Sequence, residues 1–322
     1  MKNILIAIII ALVGYGATGE AQQAKVYRVG VIHQGGPYYA AINGLRDGLR
    51  ELRYEESKHF NLEIRDAKGD LKTVEEAARS FERERLNLIY ALAGSVATAT
   101  RRVTADIPIV FAAGSDPTVL GLVESIAKPG GRLTGVHFLL TDLTGKRLEI
   151  LKEILPRVNR VVTFYNPKNR GAKEAAKLAR EAATALGIHL VERHVGSVDD
   201  LQLGLQALKV GEVDAYFFTS DAMVASQAHL IIDTARAKGL PTMFHEGSLV
   251  AQGGLASYGL SFHEIGRMSA RYVRRVLTGT HPRELPVETV HKLELVFNLK
   301  AAKALGLTIP PKVLARADKV IR

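Results

Sequence analysis

The sequence predicts an α/β protein made of two similar doubly wound parallel-sheet lobes joined by crossover strands. Three observations lead to this prediction. Short apolar runs alternate with Ala-rich helical segments, which indicates crossover units and parallel strands. The apolar runs are nearly continuous, as is typical of strands covered on both faces. The pattern occurs twice in a chain of 322 residues, a length that suits two domains of ordinary size.

A near-repeat marks equivalent positions in the two halves. Residues 107–115 read IPIVFAAGS and residues 240–248 read LPTMFHEGS, with Pro, Phe, Gly and Ser at equal offsets. Each stretch is an apolar run that ends in a small polar turn. Both fall at the fourth strand of their half, so we expect the two halves to share one architecture.

The first half is predicted to alternate strands with helices from residue 26 onward. The strands are expected at 26–32, 60–66, 86–93 and 107–112, and the helices at 40–53, 71–85 and 96–104. The second half is predicted to repeat this order after a helix at 145–155. Its strands are expected at 160–165, 188–193, 213–218 and 240–244, and its helices at 173–186, 198–208 and 223–238.

The tail departs from this pattern. It is predicted to hold strands at 254–260 and 293–297 and helices at 264–277 and 299–305. One more strand and helix after two complete halves suggest that the chain recrosses between the lobes.

The N-terminus predicts export. Lys2 precedes the unbroken apolar run Ile4–Val13, and small residues at Gly19 and Ala21 suit a cleavage site before Gln22. We therefore expect a signal peptide at 1–21 and a periplasmic mature protein. The apolar run is shorter than the roughly 20 residues that span a bilayer, so an anchor is disfavoured. The chain has no Cys, which excludes disulfides, thiolate sites and a lipidated N-terminal Cys.

Composition and motifs disfavour several function classes. The net charge is +10, but Lys and Arg are scattered among Glu in helical segments, so no nucleic-acid partner is expected. Phosphate loops, nucleophile elbows and zinc motifs are absent from the sequence, and the His residues lack metal-ligand spacing. We therefore expect no enzyme activity, no metal and no cofactor.

Ligands of open parallel sheets bind outside the carboxyl ends of the strands, so the turns there predict a ligand cleft between the lobes. Small residues admit a ligand to the backbone, and hydroxyls at helix starts suit an anion. Asp221 and Glu246 are candidate partners of a ligand ammonium group, although Asp221 and Ser95 also suit helix N-caps. Tyr38 is a candidate for stacking. The predicted ligand-binding residues are Gln34, Gly35, Tyr38, Ser95, Thr98, Gly114, Ser115, Asp116, Asn166, Asp221, Glu246 and Tyr258.

Three stretches, residues 107–136, 253–279 and 285–321, together with FYNP at 164–167, resemble the periplasmic substrate-binding proteins of ABC transporters. The similarity is to the branch linked to tryptophan and tyrosine uptake. It implies two lobes joined by three crossover strands, at 25–140 plus 258–287 and at 141–257 plus 288–322. It also implies hinge closure around an amino-acid-like ligand and delivery to permease subunits. The first turn, His33 to Tyr38, departs from the Ser- or Thr-rich turn often found in this family, which leaves the ligand open.

Three alternatives stay open at this point. The same architecture serves as the sensor of transcription repressors, but a signal peptide stands where a DNA-binding domain would be. An enzyme on a doubly wound sheet would need a phosphate loop or a nucleophile with its base. A receptor that feeds a signalling system instead of a transporter is compatible with the sequence.

Overall fold

The computed structural model describes residues 26–322. The predicted signal peptide at 1–21 lies outside the described residues. Two sheets, one of six strands and one of seven, organise the fold. Within this part of the chain, no helix is both long enough and apolar enough to cross a membrane.

The first sheet is parallel throughout and has the order β11-β5-β4-β3-β1-β2. Its strands are β1 (Tyr27–His33), β2 (Phe60–Asp66), β3 (Leu88–Leu92), β4 (Ile109–Ala113), β5 (Leu133–Phe138) and β11 (Glu288–Val290). The helices that cover it are α1 (Tyr38–Glu51), α2 (Leu71–Arg83), α3 (Gly94–Val103) and α10 (Phe262–Leu277). Strands β3 and β4 are buried along their whole length, as their continuous apolar runs predict.

The second sheet has the order β13-β12-β10-β9-β8-β6-β7 and is parallel except between β10 and β12. Its strands are β6 (Arg160–Tyr165), β7 (His189–His194), β8 (Ala215–Phe217), β9 (Thr242–Phe244), β10 (Ala256–Leu260), β12 (Leu293–Asn298) and β13 (Lys319–Ile321). Its helices are α4 (Thr144–Ile154), α5 (Arg170–Ala185), α6 (Val198–Ala207), α7 (Ala222–Ser226), α8 (Ala228–Ala237), α9 (Gly247–Ala251), α11 (Leu299–Ala304) and α12 (Pro311–Leu314).

The predicted fold class is confirmed, and the differences in detail have local causes. The helix expected at 223–238 is divided into α7 and α8 at Gln227, where the backbone leaves the helical region. Strand β5 was not predicted, because LTGVHF has no continuous apolar run, although every one of its residues is buried. Strands β11 and β13 were also not predicted, because each has only three residues and therefore no continuous apolar run.

The chain passes between the sheets after β5, after β10 and after β11. Each passage lies in the turn that follows a complete strand. We therefore propose that the lobes comprise residues 26–140 plus 261–291 and residues 141–260 plus 292–322. The sequence predicted that the chain changes lobes at residues 258 and 288. Residue 258 lies within β10 and residue 288 is the first residue of β11, and strand pairing holds each of them in the sheet of its own strand.

Helices α1 and α10 pack unusually closely because glycines line their contact. A Cβ atom built on Gly44 would lie 1.8 Å from the backbone oxygen of His263. A Cβ atom built on Gly266 would lie 1.9 Å from the backbone oxygen of Ala41. The replacement Gly44→Ala should therefore force the helices apart and lower the free energy of unfolding by about 3 kcal/mol or more.

Urea unfolding of the ligand-free protein measures this loss, with Gly145→Ala in α4 as the control. The Cβ of that control would meet only the Ala182 methyl, at an ordinary 3.6 Å. Unfolding at the same urea concentration in Gly44→Ala and in the wild type would show that the two helices can separate freely.

Candidate ligand-binding cleft

A cavity of about 660 Å³ lies between the carboxyl ends of the two sheets. The first sheet contributes residues that end or follow β1, β2 and β3, and the second contributes residues that follow β6, β7 and β8. The volume falls within the roughly 300–1,000 Å³ of typical small-molecule sites. Its lining includes Gln34, Asp66, Lys68, Asp70, Lys72, Ser95, Asn166, Asn169, Ser197, Val198, Asp221 and Met223.

A deeper cavity of about 30 Å³ shares Ser95 and Asn169 with the large one. Its walls come from both halves of the chain and are rich in small residues, namely Gly, Ala and Ser. They include Tyr38, Gly94, Gly114, Ser115, Phe138, Leu140, Gly171 and Ser220. Although small, it exceeds the roughly 10–15 Å³ that one water molecule requires. We call it the deep cavity.

The two sheets are held close together around these cavities. A Cβ atom built on Gly36, which follows β1, would lie 2.4 Å from the backbone oxygen of Ala225 in α7. A Cβ atom built on Gly171 in α5 would lie 2.5 Å from Ser115 Oγ. Since these contacts join turns of opposite sheets, the arrangement is a closed one in which glycine is needed at the meeting points.

The start of α3 presents backbone donors to the deep cavity. The N-cap residue is Ala93, which has no side chain that can cap, and Gly94 and Ser95 line the cavity. Ala93 has a φ of 99°, a strained value for a residue with a Cβ, and such strain is often found at functional sites. Ser95 is thus not the N-cap of α3, which rules out the alternative that the sequence left beside ligand binding, and no side chain caps the helix start, a place that suits an anion.

Gln34 lies beside this helix start. Its Nε2 donates to Ser95 Oγ at 3.1 Å, while its Oε1 is buried without a hydrogen-bond partner among the described residues. Unpaired buried acceptors are rare in folded proteins. The Gln34 side chain therefore lines the large cavity and retains one buried acceptor that no described donor satisfies.

Asp221 is the buried acid of the cleft. It caps α7, as the N-cap interpretation predicts: Oδ1 accepts from Met223 N at 2.9 Å and from Val224 N at 3.2 Å. Oδ2 accepts from Asn166 N at 3.1 Å and from Asn169 Nδ2 at 3.2 Å. Desolvation raises the pKa of Asp221, and these hydrogen bonds oppose the rise. The carboxylate is thus held in place at the cavity wall.

An aromatic cluster adjoins the deep cavity. The Phe262 ring contacts Tyr38 edge-on, with centroids 5.1 Å apart, and Phe138 at 5.7 Å. It also meets His245 at 5.6 Å, and His245 stacks on Phe218 at 3.9 Å. Burial, followed by the charge of Asp221, raises the pKa of Tyr38. Tyr38 is therefore the member of the cluster that senses the charge of Asp221.

The structure brings seven predicted residues to the two cavities and leaves five outside their linings. Those in the walls are Gln34, Tyr38, Ser95, Gly114, Ser115, Asn166 and Asp221. Gly35 is next to the wall and packs on Asp66. Direct ligand contact stays a prediction for each of the twelve.

The other four make contacts within their own turns or sheets. Thr98 Oγ1 donates to Gly94 O at 2.8 Å on the outer face of α3. Asp116 accepts from Thr118 N at 2.7 Å, and Glu246 caps α9 by accepting from Ser248 N at 2.8 Å. Tyr258 lies opposite Leu295 in the β10–β12 ladder and packs against the core of the second sheet.

Several cavity residues were missed from the sequence. Asn169 caps α5, and Asx residues that follow a strand by a few positions are a usable signal for such a position. Ser220 immediately precedes Asp221 and belongs to the same predicted turn. Phe138 lines the deep cavity and Phe262 packs on it from behind. Neither gave such a signal, because β5 was not recognised and the return of α10 to the first sheet was not foreseen. Within residues 26–322, no cluster of metal-ligating side chains is found.

The family described as ABC transporter substrate binding protein matches residues 28–321. A tyrosine-binding protein of Clostridioides difficile is 26% identical over 267 residues, which cover 83% of this chain and 76% of that protein. These relatives are substrate-binding proteins and not enzymes, as the sequence predicted.

Two solved structures, each 25% identical and each aligned with 92% of this chain, compare differently with it. An ABC domain in complex with L-Trp from Streptococcus pneumonia, covered completely, has a TM-score of 0.82. The ligand-free, open structure of a substrate binding protein with adhesive properties from Clostridium difficile, covered to 99%, has a TM-score of 0.61. The fold is that of type I periplasmic binding proteins, and the chain belongs to the ABC transporter substrate-binding protein family.

Proposed function

We propose that this protein is an extracytoplasmic receptor that captures a free aromatic amino acid between its lobes and delivers it to an ABC importer. The observation that carries the proposal is the cleft itself. An uncapped helix start and a buried carboxylate face the cavities from opposite sheets, and the large cavity adds apolar surface from Leu71, Val198 and Met223. This set of groups is complementary to a zwitterion with a ring.

The ligand carboxylate is assigned to the deep cavity. The N–H groups of Gly94 and Ser95 begin α3 there, and helix starts attract anions. The hydroxyl of Ser115, which hydrogen-bonds Thr141 Oγ1 at 2.9 Å, provides a further partner from the next strand. The ammonium group is assigned to Asp221, which lines the large cavity.

The ligand ring is assigned to the large cavity. Val198, Leu71 and Met223 supply apolar surface there, and the buried Oε1 of the lining residue Gln34 is an unpaired acceptor that a side-chain rotation would bring to the ligand. An indole N–H or a phenol O–H would satisfy such an acceptor. The ligands named for the C. difficile and Streptococcus relatives, tyrosine and L-Trp, support this class of ligand.

Capture is proposed to proceed by hinge closure. At equal identity, the present arrangement is more similar to the L-Trp complex than to the ligand-free open form. Ligand contacts to both lobes would favour the closed form over the open one. Release to permease subunits is proposed because the family serves ABC transporters. Delivery to a signalling system is the alternative, and growth on the ligand as sole amino-acid source, with and without the permease, distinguishes the two.

The proposal is tested with residues 22–322, unfolded and refolded to remove any retained ligand. Isothermal titration with L-tyrosine, L-tryptophan, L-phenylalanine and L-leucine is expected to give submillimolar binding for an aromatic member and weaker binding for leucine. The same ligand should raise the melting temperature by mass action. A folded protein that binds none of the four would refute the aromatic assignment.

A further inference from the structure

Arg147 is a buried cation next to the deep cavity. Its side chain is fully buried in α4, and its Nη2 donates to Leu140 O at 3.0 Å and to Thr144 Oγ1 at 3.1 Å. Its Nε and Nη1 have no hydrogen-bond partner in the described part of the chain. None of the ion pairs found among residues 26–322 includes Arg147. A guanidinium buried in this way has unpaired hydrogen-bond donors and a positive charge that no described carboxylate neutralises.

The positive charge persists at neutral pH. Burial lowers the pKa of Arg147 to about 9, which is still above neutrality. The neighbouring His245 is uncharged there, because burial and the Arg147 charge hold its pKa well below the usual range. A buried charge without a partner is strongly unfavourable, so an anion that approaches it is stabilised.

Arg147 supports one wall of the deep cavity directly, namely the turn after β5. Leu140, whose backbone oxygen accepts from Arg147, lines the deep cavity, and so does Ser115, which is bonded to the next residue, Thr141. The residues that line this cavity include hydroxyl, amide and aromatic side chains but no Lys or Arg. Arg147 is a positive charge that reaches this wall through a direct hydrogen bond, to Leu140 O at 3.0 Å.

We propose that Arg147 supplies, from behind the Leu140–Thr141 wall, the positive charge that selects ligands with a free carboxylate. This inference rests on the proposed function and adds the residue that decides which chemical group enters the deep cavity. Arg147 acts as a positioning residue through its field and its hydrogen bond to the wall. Because Arg147 and Leu140 are both buried, the field of the guanidinium at this wall is weakly screened.

The test is a cycle of two proteins and two ligands, measured by isothermal titration. The proteins are the wild type and Arg147→Met, which removes the charge and keeps an unbranched apolar side chain. The ligands are L-tyrosine and L-tyrosinamide, with the tryptophan pair in parallel. Arg147→Met should weaken binding of the acid by roughly tenfold or more and of the amide by less than about threefold.

Arg147→Lys provides the rescue, because it keeps the charge and should recover most of the preference for the acid. The melting temperature of ligand-free Arg147→Met should not fall greatly, since replacing an unpaired buried charge by an apolar group is often tolerated. Equal weakening of acid and amide, or tighter binding of both, would overturn the proposal. Failure of the wild type to bind either pair would instead refute the proposed function.

Discussion

Gly36→Ala is expected to weaken ligand binding more than tenfold and to leave each lobe folded. The added Cβ would lie 2.4 Å from Ala225 O and 3.1 Å from Ser226 Cα, both in the backbone of the opposite lobe. No side-chain rotation relieves these contacts, so the lobes must stay further apart. If closure depends on this contact, the closed form loses population and the apparent affinity falls by the same factor.

The backbone strain of this replacement needs its own control, because Gly36 has a φ of +60°. Gly187→Ala is matched, since Gly187 has a φ of +65° and no atom within 4 Å of its built Cβ. Both variants should lose similar stability, by about 1 kcal/mol, and only Gly36→Ala should lose affinity. Small-angle scattering with saturating ligand should show a larger radius of gyration for Gly36→Ala. Unchanged affinity in that variant would contradict closure at this contact.

Asp221→Asn is expected to reduce affinity for the aromatic amino acid by 30-fold or more, equivalent to a loss of about 2–5 kcal/mol. The amide carries no charge to pair with the ligand ammonium group. Its NH₂ group would also face donors that now point at a carboxylate, among them Asn169 Nδ2 at 3.2 Å. Stability should therefore fall as well, by about 1–3 kcal/mol, because buried donors lose their acceptor.

Glu82→Gln separates the loss of stability from the loss of affinity. The Glu82 carboxylate accepts from the backbone N–H groups of Ala105 and Asp106 at 2.6 and 2.9 Å, in the first lobe and outside both cavities. This variant should unfold at lower urea concentration and bind the ligand as the wild type does. Isothermal titration at a temperature where both variants are folded shows whether Asp221→Asn loses affinity for the ligand apart from its loss of stability. If Asp221→Asn binds within threefold of the wild type, the ammonium group lies elsewhere.

The sequence was sufficient for the fold class because that class depends on local patterns. Alternation of apolar runs with helical segments is visible along the chain, and β1 to β4 and β6 to β9 follow it. Strand β5 could not be found in this way. Its buried face is completed by contacts with β4 and β11, which come from distant parts of the chain.

Asp221 and Glu246 show how far the sequence alone could identify the residues of the site. Both are buried acids that follow a strand and cap a short helix, so the sequence treats them alike. Only Asp221 lines the cavity between the sheets. The difference arises from the direction in which each turn leaves its strand, and from which turn of the opposite sheet it meets.

The sequence alone thus determined two lobes of parallel strands and the strand-end turns from which a cleft is built, because period and turn chemistry are properties of neighbouring residues. The tertiary structure decided which of those turns face one another, that Phe262 returns to the cleft, and that Arg147 is buried beside it. An arginine in a helix is ordinarily exposed. Tertiary packing removes this one from water, since it sets Arg147 against Leu140 in the segment that joins the two sheets and beside His245 at the end of β9.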